Sequence, residues 1–405
     1  MLRKIILIIC FAAVTVSCRK DPVVLVDPDQ HYCHNAVCLF QTVWQGLNEG
    51  YLFWERESVD WDSVYDAMLP VFEQFDQTTV SDAELANAYK MMVGGLIDHH
   101  MYVQVKNLNT GNAVYASPAS AEVTSRNYYH ANYFNQQAAL IPSMPGVTNY
   151  TAGSSDHPCF FALFPGNNGK KIAYLRFRSF EASSVASQVS NGQLPASAMA
   201  PFREFYGSDG VSGVKSGWAS RSEVEALIID VRGNNGGDLN DVKNLICSLT
   251  PDRTDFGYSR VKEGLGRLDY SAWTPFAIDA HANHLGLDKK VVILADINSA
   301  SCAELSAAFV SLFPHGTFIG ERTYGATCPL LPGNHDMLYS GVFGDYDTYG
   351  YYVYTSNFDL VDKEYKSHEG IGFTPDIECL FDLSALQSGH DNQLERALQY
   401  IRMGK

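Results

Sequence analysis

The sequence predicts an α/β protein, with an α/β core, an N-terminal helical domain and a small β-rich middle segment. Three observations point there. Ala226-Leu227-Ile228-Ile229-Asp230-Val231 and Val291-Val292-Ile293-Leu294-Ala295 are unbroken apolar runs, the pattern of strands buried on both faces of a mixed or parallel sheet. Each is followed by a helical pattern, over 241–249 and 302–312. Before them, residues 38–96 repeat large apolar side chains at helical spacing.

In chain order, Met1 to Lys4 supplies two positive charges, and Ile5 to Val16 is an apolar run too short to span a bilayer. Thr15-Val16-Ser17-Cys18 then places small residues before a cysteine. This layout resembles a bacterial lipoprotein signal, over residues 1–18, with Cys18 as the lipidated residue. The resemblance implies an exported protein held on the cell envelope by an N-terminal lipid. The plainer alternative is a cleaved signal peptide. A short tether follows over 19–37.

The helical domain is expected over 38–101. Phe40, Val43, Trp44, Leu47 and Tyr51 share one helix face, and Trp61, Val64, Tyr65, Met68 and Phe72 repeat it. These aromatics read as core. Ser81-Asp82-Ala83-Glu84 is a capping box that opens a third helix. Over 102–170, Ser, Asn, Gly and Pro interrupt short apolar runs, which predicts strands joined by long loops. The α/β domain is expected over 171–405. It begins with the alternating strand Ile172 to Phe177, carries a helix over 199–206, and ends with an amphipathic helix over 392–402.

The chain has 405 residues, 46% of them hydrophobic and 18% charged, enough to bury a large core. Its net charge of −16 argues against nucleic acid and against electrostatic attachment to anionic lipid. Seven of the nine cysteines lie beyond Cys18, mostly in apolar surroundings, and Cys33 and Cys38 are near enough in sequence to pair. No Cys or His spacing matches a zinc site, so no metal and no cofactor are expected.

Four separated motifs carry chemistry. Asp230 to Gly237, D-x-R-x-N-x-G-G, ends a buried strand in a glycine loop whose N–H groups could face a developing oxyanion. Asp230 and Arg232 read as a buried pair that fixes this loop. The loop lacks phosphate-binding spacing. Asp98-His99-His100 offers an imidazole as general base, with either histidine a candidate. Ser299-Ala300-Ser301-Cys302-Ala303-Glu304 puts Ser301 at a helix start, where unbonded N–H groups and the helix dipole favour negative charge. The same four residues from Ser301 to Glu304 are also a capping box, which needs no catalysis. Finally, Glu369 stands before Gly370-Ile371-Gly372 and could orient a base at a pocket rim.

In this order the motifs resemble the tail-specific, or C-terminal processing, serine peptidases. Gly320 to Gly325, G-E-x-T-x-G, and Gly372 to Ile377, G-x-x-P-D-I, add to the resemblance. The common bacterial branch carries a catalytic lysine directly after G-E-x-T-x-G, where this chain has Ala326. A lysine-free branch, similar to the core of tricorn protease, uses a histidine and a glutamate at the positions of His100 and Glu369. The resemblance therefore implies a crotonase-like core and a serine endopeptidase acting on protein or peptide through Ser301, His100 and Glu369. Gly236, Gly237 and Cys302 would supply the oxyanion N–H groups. A non-catalytic ligand- or peptide-binding lipoprotein on the same fold is the alternative, and an acyl-CoA enzyme is a more distant one.

Overall fold

The computed structural model describes residues 32–118, 126, 133–207, 209–211, 213, 216–330 and 339–404. Cys18 and the signal and tether segments up to residue 31 lie outside them. Three helices come first: α1 (Ala36–Gly50), α2 (Trp61–Phe75) and α3 (Asp82–Val93). The Asn35 side chain accepts from Cys38 N–H at 2.8 Å and caps α1, and a Cys33–Cys38 disulfide ties the same turn. Aromatic packing joins α1 to α2. Phe40 and Phe72 stack at 4.6 Å, and Trp44 and Trp61 each donate an indole N–H to the other's carbonyl, at 3.0 and 3.2 Å. Ser81 and Glu84 complete the capping box of α3.

The middle of the chain supplies β1 (Tyr102–Lys106), β2 (Ala113–Ala116), α4 (Tyr133–Leu140), β3 (Thr148–Ala152) and β4 (Cys159–Pro165). Then follow β5 (Lys171–Phe177), α5 (Ala182–Ser190), α6 (Ala200–Tyr206), β6 (Val224–Asp230), α7 (Leu239–Leu249), β7 (Thr254–Arg260) and β8 (Thr274–Ile278). The last part holds β9 (Lys290–Ala295), α8 (Cys302–Ser311), β10 (Gly316–Gly320), β11 (Val342–Asp345), α9 (Tyr346–Tyr349), β12 (Tyr351–Tyr354), β13 (Asp359–Asp362), β14 (Ile377–Glu378), α10 (Leu383–Gln387) and α11 (Asn392–Met403).

Seven strands form the central sheet, in the order β14-β10-β9-β6-β5-β4-β3. The pairs from β14 to β5 are parallel, and β4 and β3 add an antiparallel edge. Alternate residues of β6 face opposite cores, as a period of two requires. Leu227 and Ile229 join the large core shared with the N-terminal helices, α7 and α8. Ala226 and Ile228 pack with Leu394, Ala397, Leu398 and Ile401 of α11. Both faces are covered, which is why β6 and β9 read as unbroken apolar runs.

The β-rich middle segment divides between two sheets. Its second pair of strands, β3 and β4, extends the central sheet, whereas β1 and β2 join an antiparallel sheet ordered β11-β12-β1-β2. A third sheet, β13-β7-β8, is also antiparallel. The fold thus brings the segment after α3 beside the segment after β12. Among the described residues, no helix is long and apolar enough to cross a membrane.

Candidate active site

The carboxyl ends of the parallel strands β6 and β9 open onto the two loops that matter most. After β6, Asp230 is fully buried and bonded on several sides. Arg176 Nη1 reaches it at 2.7 Å, Arg232 Nη2 at 2.6 Å and the Tyr174 hydroxyl at 2.7 Å. Burial alone would raise its pKa, but the two guanidiniums hold it down to about 2. Arg232 also forks onto Asp391 at 2.7 and 2.8 Å, fastening the start of α11 to the loop. The expected Asp230–Arg232 pair is thus the centre of a larger buried network.

That network holds a sharply turned glycine loop. Asn234 donates to Phe177 O at 3.0 Å and accepts from Gly236 N–H at 2.8 Å. Gly236 has φ +100°, and a Cβ there would lie 2.6 Å from the Cβ of Ser301, so no larger residue fits. Gly237 has φ +140° and faces Phe180 O as closely. Of the three expected oxyanion donors, Gly236 is therefore spent, because its N–H already serves Asn234. Among the described residues, the N–H groups of Gly237 and Cys302 are bonded to no backbone carbonyl, and that of Gly237 faces the Cys302 sulfur.

After β9, the turn is locked by Ser299, whose hydroxyl donates to Val231 O at 2.8 Å and accepts from Asp296 N–H at 2.9 Å. Ser301 follows at φ +57°, ψ −123°, a conformation that a serine rarely adopts and that surrounding contacts must hold. Glu304 is the main clamp. Its buried carboxylate accepts from Ser301 N–H at 3.0 Å, Thr323 Oγ1 at 2.6 Å, Gly325 N–H at 2.7 Å and Ala326 N–H at 2.8 Å. So Glu304 closes the helix start as expected, but it also ties the G-E-x-T-x-G loop to Ser301. Burial raises its pKa to about 7 against these bonds. Next to the serine, the Cys302 thiol donates to Gly237 O at 3.1 Å. Burial pushes its pKa up to about 12, so it is no rival nucleophile at neutral pH.

The histidine loop arrives from between α3 and β1. His100 and Ser301 line one cavity of about 350 Å³, with Asn235, Gly237, Cys302 and Tyr354 among the other walls. His99 turns elsewhere, its ring packing on Tyr324 at 5.2 Å. Neither ring nitrogen of His100 has a hydrogen-bond partner among the described residues, and burial, with His99 beside it, lowers its pKa to about 4. The imidazole is therefore neutral at ordinary pH, the form a base requires.

Glu369 sits behind His100 and outside the cavity wall. Its carboxylate accepts from His99 N–H at 3.0 Å, Thr327 N–H at 2.7 Å and Cys328 N–H at 2.7 Å. Asp98 lies beside it, accepting from His100 N–H at 2.9 Å and from Ser356 N–H at 2.7 Å. Atoms of Asp98, His100 and Glu369, one from each, lie within 4.8 Å of one another. Such a trio could surround a cation, yet N–H and O–H donors already reach every one of its carboxylate oxygens, which is the chemistry of a hydrogen-bonded cluster. Tyr51 and Glu57 extend it: Tyr51 donates to Glu57 and accepts from Asp98 N–H. Sequence reasoning assigned no role to Asp98, Ser356 or Glu57. The Asp two residues before the His was a signal that could have been used; Ser356 and Glu57 had none.

A family model described as peptidase family S41 matches residues 171–379, just over half of the chain, and the chain belongs to that family of serine peptidases. Its fold is similar to that of a candidate peptidase from Parabacteroides merdae, at 19% identity over 90% of this chain and 96% of that one, with a TM-score of 0.61. Mature CPAF is similar at 12% identity, over 92% and 97% of the two chains, with a TM-score of 0.60. At these identities the likeness speaks for the fold alone, and it accords with the α/β core and helical N-terminal region expected from sequence. No curated protein matches.

Proposed function

We propose that the chain is a serine endopeptidase that uses Ser301 as nucleophile and a histidine, His100, as base in place of a lysine. The observation that carries this is the shared cavity, lined by a neutral imidazole with no hydrogen-bond partner among the described residues, a strained serine at a helix start and the amides of Gly237 and Cys302, which no backbone carbonyl among those residues takes up. At the position where the common branch has lysine, Ala326 offers only its backbone, bonded to Ser301 N–H and Glu304.

The chemistry follows from those parts. His100 takes the Ser301 proton as Oγ attacks the substrate carbonyl, and the oxyanion accepts from Gly237 and Cys302 N–H. Each such donor contributes about 3 kcal/mol to the transition state. His100 then passes its proton to the leaving amine, and water hydrolyses the acyl-enzyme by the reverse proton path. Glu369 stabilises the imidazolium from behind. The substrate is a protein or peptide, and the reaction needs no metal. Cys18 would hold the enzyme on the envelope by a lipid; Cys18→Ser would move it from the membrane to the soluble fraction.

A fluorophosphonate probe tests the centre of this reading. It labels wild type at Ser301, and Ser301→Ala and His100→Ala abolish the label. A folded wild type that never labels returns the chain to the alternative of a non-catalytic binder.

A further inference from the structure

We propose that Asp98 and Glu369 act as one carboxyl pair behind His100, holding a single proton between them, with Asp98 a second positioning residue for the imidazole. This rests on the reading of His100 as base and deepens it. One oxygen of each carboxylate and one His100 ring nitrogen lie within 4.8 Å of one another. Asp98 is wholly buried and Glu369 nearly so. Asp98 Oδ1 accepts from His100 N–H at 2.9 Å and Ser356 Oγ at 3.0 Å, and Oδ2 accepts from Ser356 N–H at 2.7 Å. Through these bonds Asp98 sets the backbone of His100, while Glu369 sets that of His99. Both acids grip the same short loop.

No cation among the described residues offsets them. Among the described residues, neither carboxylate bonds to an arginine or lysine. Arg56 is committed to Asp359, and Arg126 to the carbonyls of residues 322 to 324. The other titratable groups facing the pair are Tyr51 and Glu57 after α1, His99 on the same loop, Tyr354 on β12, Tyr324 and Cys328 in the segment after β10, and Glu304 on α8. None of these brings a positive charge at neutral pH. Two buried like charges this close cannot both persist, so one proton stays on the pair. Burial raises both acids, Asp98 to about 6 and Glu369 well above the carboxylate range. The pair titrates as a unit. When the Ser301 proton moves to His100, one negative charge is already in place beside the new cation, and the shared proton does not move.

The consequence is redundancy. With either acid made an amide, the remaining one ionises alone and still supplies one charge. The rate of fluorophosphonate labelling, measured against pH, reads this without a known substrate. Asp98→Asn and Glu369→Gln are each expected within about tenfold of wild type. The double variant should fall by a thousandfold or more, with its acid limb moved to lower pH because the imidazolium has lost its counter-charge. If one acid alone orients the base, its single variant falls about 10⁴-fold and the double falls no further; that outcome overturns the pair. His100→Ala labelling as fast as wild type would instead remove the base itself, a failure of the reading underneath.

Infrared difference spectra of wild type and Glu369→Gln at neutral pH serve should Asp98→Asn not fold, or should no variant label. Loss of one carboxylic-acid band supports the shared proton. Loss of one carboxylate band means that both acids were ionised, and refutes it.

Discussion

Two buried acid clusters support the loops around Ser301, and they are neutralised in opposite ways. Asp230 and Asp391 are held by the guanidiniums of Arg176 and Arg232. Glu57, Asp98 and Glu369 are held by backbone N–H groups, hydroxyls and one another. Arginine keeps its charge at any working pH, so the first cluster has a fixed charge state and fixes a backbone. Acids held by amides stay near the edge of ionisation, so the charge of the second is set by its neighbours rather than by a fixed partner. A buried charge is a strut when its partner is permanent and a participant when its partner is another titrating group.

The largest expected effect breaks the second region at its focus. Ser301→Ala or His100→Ala should lower peptidase activity by up to about 10⁶-fold, measured by turnover of a denatured protein substrate. Circular dichroism would show each variant still folded. Loss of structure with loss of activity would erase the contrast between strut and participant.

In the first region the loss should be of stability. Arg232→Met leaves Asp230 and Asp391 buried without their shared partner, at a cost of about 3–5 kcal/mol by denaturant unfolding. Asp230 also has a signed pH dependence. Its folded pKa, about 2, is depressed, so its contribution is present above the unfolded value and is lost as pH falls through about 2. Wild type should lose stability from this source between about pH 4 and 2, and Arg232→Met should lose less, because Arg176 alone then holds Asp230.

A smaller effect sharpens the second region. His100 is depressed to about 4, so the acid limb of labelling should lie near that pH, well below an ordinary imidazole. The stability contributed by its neutral form is complete above about pH 6.5 and falls as pH drops toward 4. An acid limb near 6.5 would mean that His100 is solvated in the working enzyme. The smallest effect belongs to His99→Ala. Its ring packs on Tyr324 away from the cavity, so activity should change by less than tenfold and melting by a few degrees.

Much of this was legible in the chain. Unbroken apolar runs identified β6 and β9, because strands buried on two faces have no polar side to alternate. Helical spacing identified α1 and α2, and the capping motif of Ser81 and Glu84 dated the start of α3. Ser301, His100, Glu369 and the glycine loop were nominated by motif order. Other elements escaped. β7 alternates too weakly to stand out, and α4 follows a segment rich in turn residues. The destination of β1 and β2 could not be read, since β12, the partner of β1, lies more than two hundred residues away.

The sequence by itself determined which residues are available for chemistry: a serine at a helix start, two adjacent histidines, an acid before a glycine turn, and alanine in place of a lysine. Local rules suffice there, because caps, glycine turns and apolar periods act over a few residues. Only the tertiary structure decided which histidine faces Ser301, that Gly236 N–H is spent on Asn234, and that Asp98 and Glu369 meet with no arginine or lysine bonded to them among the described residues. Those facts depend on pairing between strands distant in the chain and on the low dielectric of a closed core, where each acid's charge is set by its neighbours in space.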